Sequence, residues 1–170
     1  MCGLDGPPRS GTPYRRGGPT AMTNGRARAE ILEEFLDLWG KLATASEEAG
    51  TVVVVEGARD RRALRRLGLG GPIALVHRGV TLAGTAHALV GRGRRVVVLT
   101  DWDREGGLLA RRLKEFLAAE RLDLDLEYRR RFARVLRGEL VHVEGLYGWA
   151  RRLAEAEGAV LEELLGPARP

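Results

Sequence analysis

Cysteine is almost missing from this chain: Cys2 is the only one in 170 residues. No disulfide framework and no Cys-based metal site can form within one chain, and a reducing cytoplasm is the natural setting. Lysine is nearly missing as well. Of 28 basic side chains only Lys41 and Lys114 are lysines, and the others are arginines. No apolar run approaches the roughly 18 residues a membrane span requires, so no membrane partner is expected. The opening MCGLDGPPRSGTPYRRGGPT lacks an apolar core and does not read as a secretory leader. No repeat of fixed period appears, and the echo of VVEG (54–57) in HVEG (142–145) is too short to count as one.

What is present is an ordinary balance for a globular protein, 44% hydrophobic and 30% charged, long enough for one domain with a real core. The net charge is +5. Arginine grips phosphate bidentately and stacks on bases, so an arginine-heavy balance suits nucleic acid. A GC-rich genome choosing arginine codons explains the same ratio, and charge alone decides nothing.

Residues 1–25 are rich in Gly, Pro and Arg without periodicity and read as a disordered tail. Met22 stands just before the ordered part and offers an alternative start. Residues 26–49 turn helical. Ile31, Phe35, Leu38, Leu42 and Ala45 recur at spacings of three and four, a stripe that packs on its own domain or pairs with a partner helix in a dimer. The period then changes. TVVVVEG (51–57) is a continuous β-branched run, the mark of a strand buried on both faces. A helix is expected over 60–67, a strand over 72–76, a helix over 81–90, and a third buried strand over 94–100. Helices follow over 105–121 and 126–137, then a fourth strand, ELVHV (139–143), and a helix over 146–157. Alternating strands and helices predict an α/β fold, a four-stranded parallel sheet with helices on both faces and an extra helix at the N-terminus. The main domain spans 50–145, followed by a helical segment and tail over 146–170.

In such a sheet, ligands sit beyond the carboxyl ends of the strands, where strand order reverses. Two strands here end in acid: the first in Glu56-Gly57, the third in Asp101-Trp102-Asp103, with Glu105 close behind. In the order 2-1-3-4 the first and third strands are neighbours, and Glu56 lands beside the aspartates. Asp101 and Asp103 are two apart, so extended backbone sends both to one side and Trp102 to the other. Carboxylates about 4 Å apart repel by about 4 kcal/mol at an effective dielectric near 20. A hard dication offsets this, and oxygen ligands suit Mg²⁺, with Mn²⁺ as a substitute. Simpler roles exist for single residues. Asp103 can be a helix N-cap and Glu105 can favour the helix dipole. Gly57 and the Gly106-Gly107 pair let backbone approach a phosphate, or serve only as turns.

VVVVEG followed by LTDWDREGG resembles the Toprim domain, in which one strand ends in Glu-Gly and another in Asp-x-Asp. That domain occurs in type IA and type II topoisomerases, bacterial-type primases, old-family nucleases, recombination mediator proteins and the 5S ribosomal RNA maturase. The resemblance covers roughly 50–145. TDWDREG is similar to the type IA topoisomerase form of the motif, and VVEGARDRRALRRLG to small archaeal Toprim proteins and the 5S maturase group. It implies a Rossmann-like Toprim fold, Mg²⁺ at Asp101 and Asp103, and Glu56 as ligand or general acid/base. Arg104 and Glu105 match an Arg and a Glu that continue the motif, which implies a phosphate contact for Arg104 and a place beside the metal for Glu105. The chain departs from the topoisomerase pattern at Gly107, where a further Glu is expected. Tyr14, Tyr128 and Tyr147 also lack the gate domains that a nucleophilic tyrosine needs, so a self-contained topoisomerase is not expected.

Among the other arginines, Arg59 begins the first helix after Glu56 and is a candidate phosphate contact. Arg62 and Arg66 read as its solvated face. Arg78 follows the second strand on the same edge and is a second nucleic-acid candidate. Arg129, Arg130, Arg131, Arg134 and Arg137 form a basic helix able to track an RNA or DNA backbone. The expected function is Mg²⁺-dependent phosphodiester chemistry on nucleic acid by a small cytoplasmic nuclease, with Glu56 and Arg104 as catalytic groups. A non-catalytic module binding nucleic acid or ribonucleoprotein is the alternative, and a primase-like nucleotidyl transferase the third reading.

Overall fold

A computed structural model describes residues 28–76 and 80–166. The expected tail at 1–25 and the candidate Arg78 lie outside the described residues. The elements run α1 (Arg28–Glu47), β1 (Thr51–Val55), α2 (Ala58–Arg66), β2 (Ile73–Leu75), α3 (Leu82–Leu89) and β3 (Arg95–Val98). They continue with α4 (Arg104–Ala119), β4 (Asp123–Asp125), α5 (Glu127–Leu136), a 3-10 turn (Val143–Gly145), α6 (Leu146–Ala156) and α7 (Leu161–Leu165).

The four strands form one parallel sheet in the order β2-β1-β3-β4. Val53 pairs with Ile73 on one side and with Val97 on the other. Alternation along the two central strands divides the core into two layers. Val53, Val55, Val97 and Leu99 face a layer built by α1, α2, α5 and α6. Val52, Val54, Val96 and Val98 face α3 and α4, against Ala86, Leu89, Leu113 and Leu117. Every residue of β1 is buried, as its unbroken apolar run requires.

The stripe on α1 is taken up by the chain's own core. Ile31, Leu32, Phe35, Leu38, Trp39 and Leu42 are all buried, and the Trp39 indole donates to the Leu67 carbonyl at 2.8 Å. Phe35 stacks on Trp39, lies tilted against Phe132 and meets Trp149 edge-on, at centroid distances of 6.3, 6.1 and 5.4 Å. Trp102 joins this cluster through Phe132 at 6.2 Å. The residue between the two aspartates thus points into the core and fixes the loop that carries them.

The fourth strand is not where the sequence pattern put it. Residues 139–143 form no strand, and the edge position beside β3 is filled by Asp123–Asp125, with Val96 opposite Leu124. The LDLDL stretch (122–126) has the period of a strand. Leu122 is buried, and Leu124 and Leu126 pack against the α3/α4 layer. With that edge occupied, 139–143 finds other partners for its backbone. It crosses the carboxyl end of the sheet, where the Trp102 amide donates to the Val141 carbonyl at 2.8 Å.

Candidate metal centre

β1 delivers Glu56 at its carboxyl end, and β3 delivers Asp101 and Asp103 at the adjacent end. The Asp101 amide donates to Glu56 Oε1 at 3.0 Å. This contact is made because β1 and β3 are neighbours in register, Val54 opposite Val98. Asp103 is the N-cap of α4, with Oδ1 accepting from the Gly106 amide at 2.7 Å. Among the described residues no donor takes its second oxygen. Asp101 accepts from the Val143 amide at Oδ1 (2.8 Å) and from His142 Nδ1 at Oδ2 (2.8 Å). The crossing segment 139–143 therefore closes one side of the site.

Asp101, Asp103 and His142 each offer a ligand atom, and these atoms all lie within 4.8 Å of one another. Glu56 is tied to this group through the Asp101 amide. Glu105 is not among the three. It lies exposed in the first turn of α4, where its charge favours the helix dipole. Arg104 is exposed beside Asp103 and forms no ion pair among the described residues. Arg59 is exposed as well and sits 3.7 Å from Glu144.

Burial raises the Glu56 carboxyl above its ordinary value. The Asp101 amide opposes this, and the charges of Asp101, Asp60 and Asp103 add to the rise. Such a group accepts a proton more readily than a solvated glutamate, which suits acid/base work. Asp60, a residue the sequence offered only as the start of a helix, behaves likewise. It is buried in the first turn of α2 and accepts from the Gly57 amide at 2.8 Å. Burial raises its pKa, the Gly57 amide lowers it, and Asp101 and Glu144 raise it again. Its place four residues after Glu56 was the available signal.

Two further residues of the site were not legible in the chain. His142 is exposed, and its hydrogen bond to Asp101 raises its pKa, so the imidazolium form is favoured beside the aspartates. It lies 41 residues from Asp101, and nothing in ELVHV marks it as a partner. Arg129 looked like one of several arginines on a basic helix. In the fold its Nε donates to the Thr100 carbonyl and to Thr100 Oγ1, at 3.2 and 3.0 Å, and its Nη2 to the Asp101 carbonyl. Burial lowers its pKa, against the attraction of Asp103, Glu56 and Asp101. It holds the backbone of the aspartate loop and puts a positive charge behind the carboxylates. Other members of that helix are engaged elsewhere: Arg130 and Arg134 with Glu127, Arg131 with Asp37.

Gly106 is required by packing. A Cβ there would stand 2.1 Å from the Asp101 carbonyl oxygen, and Thr100 Oγ1 donates to the Gly106 carbonyl at 2.9 Å. Gly57 and Gly107 face no such restriction. Their added Cβ atoms would meet only Asp60 Oδ2 at 3.8 Å and Arg129 Nη2 at 3.7 Å.

The chain and its fold have counterparts among known proteins. The family model described as the Toprim domain matches residues 51–135. A UPF0292 protein of Methanosarcina acetivorans is 32% identical over 138 residues, covering 81% of this chain and 92% of its own. A UPF0292 protein of Thermococcus gammatolerans is 36% identical over 134 residues, covering 79% and 96%. A solved structure of a protein from Aquifex aeolicus superposes with a TM-score of 0.54 at 27% identity, over 64% of this chain and 94% of that one.

Proposed function

The chain belongs to the Toprim domain family, which implies a metal-dependent function related to nucleic acid, and from that premise we propose that it is a Mg²⁺-dependent nuclease cutting RNA or DNA phosphodiesters. The observation that carries this reading is the placement of Glu56. A carboxyl with a raised pKa stands within one hydrogen bond of a loop whose two aspartates share a ligand-sized space.

The residues present fit a hard dication. The donor set is rich in carboxylate oxygen, the chemistry Mg²⁺ and Mn²⁺ prefer. Asp101 and Asp103 would hold the ion, with His142 steadying Asp101 from the rim. The oxygens of Asp101 are hydrogen-bonded already, but each carries further lone-pair capacity. A bound Mg²⁺ supplies charge neutralisation at phosphate oxygens and lowers the pKa of water. Glu56 takes a proton from the attacking water or returns one to the leaving oxygen. Arg104, at the mouth of α4, forks onto a non-bridging phosphate oxygen. Arg129 keeps the Asp101 backbone in place while charge moves in front of it.

A binding module without catalysis is the second reading. It is favoured by Asp101, both of whose oxygens are already engaged by the protein itself. Cleavage of labelled RNA and DNA in Mg²⁺ or Mn²⁺ decides between them. Wild type should cut, and Asp101→Asn should not. Arg104→Lys keeps the charge but loses the bidentate fork. It should lose turnover ten-fold or more, about 1.4 kcal/mol of barrier, with substrate affinity little changed. If no substrate is cut by wild type, the enzyme reading gives way to the binding module.

A further inference from the structure

We propose that the groove between α2 and α6 is the track along which the nucleic-acid backbone enters the acidic centre. This rests on the nucleic-acid reading above and adds the surface that the substrate occupies. The groove is a cavity of ≈ 650 Å³ whose lining includes Arg59, Arg62 and Arg66 from α2 and Arg151 and Arg152 from α6. Among the described residues, Glu144 is the one carboxylate in its lining.

Arg59, Arg62 and Arg66 follow one another at spacings of three and four, so they share one face of α2. At 1.5 Å per residue they make a row about 10 Å long. The Arg66 guanidinium carbon lies over the Tyr147 ring, 3.8 Å from the ring centre. That contact immobilises a cation without neutralising it. Arg151 is shared with Glu155 at 3.5 Å. Arg62 and Arg152 are exposed and form no ion pair among the described residues. Gly148 lines the groove beside them, where even an added Cβ would approach only Arg152 Nη1, at 3.5 Å.

The position of the groove favours a polyanion directed at the metal centre. Its end at Arg59 is three residues from Glu56. Arg59 also contacts Glu144, which follows His142 and Val143, the two residues that bond to the Asp101 carboxylate. A chain of phosphates lying along the arginines therefore arrives beside the acids. The arginines of α5 are engaged by Asp37, Glu127 and the aspartate loop, as described above.

The test uses the full chain with EDTA present, so that binding is read without cleavage. Fluorescence anisotropy of short labelled RNA and DNA, single-stranded and duplex, is followed from about 50 to 200 mM salt. Replacing Arg62, Arg66, Arg151 and Arg152 by Gln should weaken binding and flatten the plot of log affinity against log salt by about three to four. The milder pair Arg62→Gln and Arg152→Gln removes only exposed, unpaired groups and should flatten it by about one to two. Arg111→Gln with Arg112→Gln removes the same charge from exposed positions on α4, across the sheet, and should leave the slope unchanged. An unchanged slope in both groove variants overturns the proposal, as does an equal loss in the α4 pair. Wild type that binds anionic lipid vesicles and no oligonucleotide also overturns it. Binding through the groove without cleavage in Mg²⁺ sinks the nuclease reading and leaves this one standing.

Discussion

At the scale of the residue, Glu56 carries the most consequence. Its carboxyl is half-buried and faces other acids, so the folded chain holds its proton to higher pH than the unfolded chain does. The sign follows by linkage. Between the ordinary glutamate value of 4.5 and the raised folded value, the folded state binds more protons, so stability falls as pH rises through that window. Below the window the penalty is absent. Asp60 acts in the same direction from its ordinary 3.8. Glu56→Gln should therefore melt higher than wild type at neutral pH in EDTA and converge with it in acid. Thermal melts across pH check this. A variant less stable than wild type at neutral pH would show that the Asp101 amide bond outweighs the cost of burial.

At the scale of the element, the β3–α4 junction concentrates the demands. Asp103 caps α4, Trp102 anchors in the aromatic cluster, and Gly106 lets the first turn of the helix lie against the Asp101 carbonyl. The two glycines of this turn should respond with opposite sign. Gly106→Ala places a Cβ 2.1 Å from backbone oxygen and should cost about 1–3 kcal/mol, because rigid backbone has to move. Gly107→Ala meets only ordinary contact and gains helix propensity, so it should stabilise by about 0.5–1 kcal/mol. Denaturant unfolding of both variants reads the difference. Equal effects would mean that the junction relaxes without cost.

At the scale of the whole molecule, two helical layers and a parallel sheet hold like charges together at one edge. The core beneath supports the strain, and a cation should relieve it. Saturating the site at about 100 times its dissociation constant adds about 2.7 kcal/mol, or roughly 5–10 °C in melting temperature for a chain of this size. Asp101→Asn with Asp103→Asn should abolish the Mg²⁺ response while the metal-free protein stays at least as stable, since Asn also caps a helix well. A full Mg²⁺ shift in the double variant would place the ion elsewhere.

The sequence by itself determined the parallel α/β sheet, its three buried strands and the acids at two of their ends; the strand order that brings Glu56 to the Asp101–Asp103 loop entered only as a condition, and the fold supplied it. Those features are local: a β-branched run buried on both faces, a helix period after each strand, and acids at strand ends. The tertiary structure alone decided the rest. LDLDL and ELVHV both resemble short strands, and competition for the single free edge beside β3 selected the first. That outcome sent 139–143 across the carboxyl end and brought His142 and the Val143 amide onto Asp101. Arg129 reads as one arginine in a basic run until the packing of α5 against β3 turns it toward the aspartate loop. The groove on α2 likewise exists only because α6 lies beside it. Periodicity reports which face of an element is buried, but contacts dozens of residues apart depend on which elements win the available edges and faces.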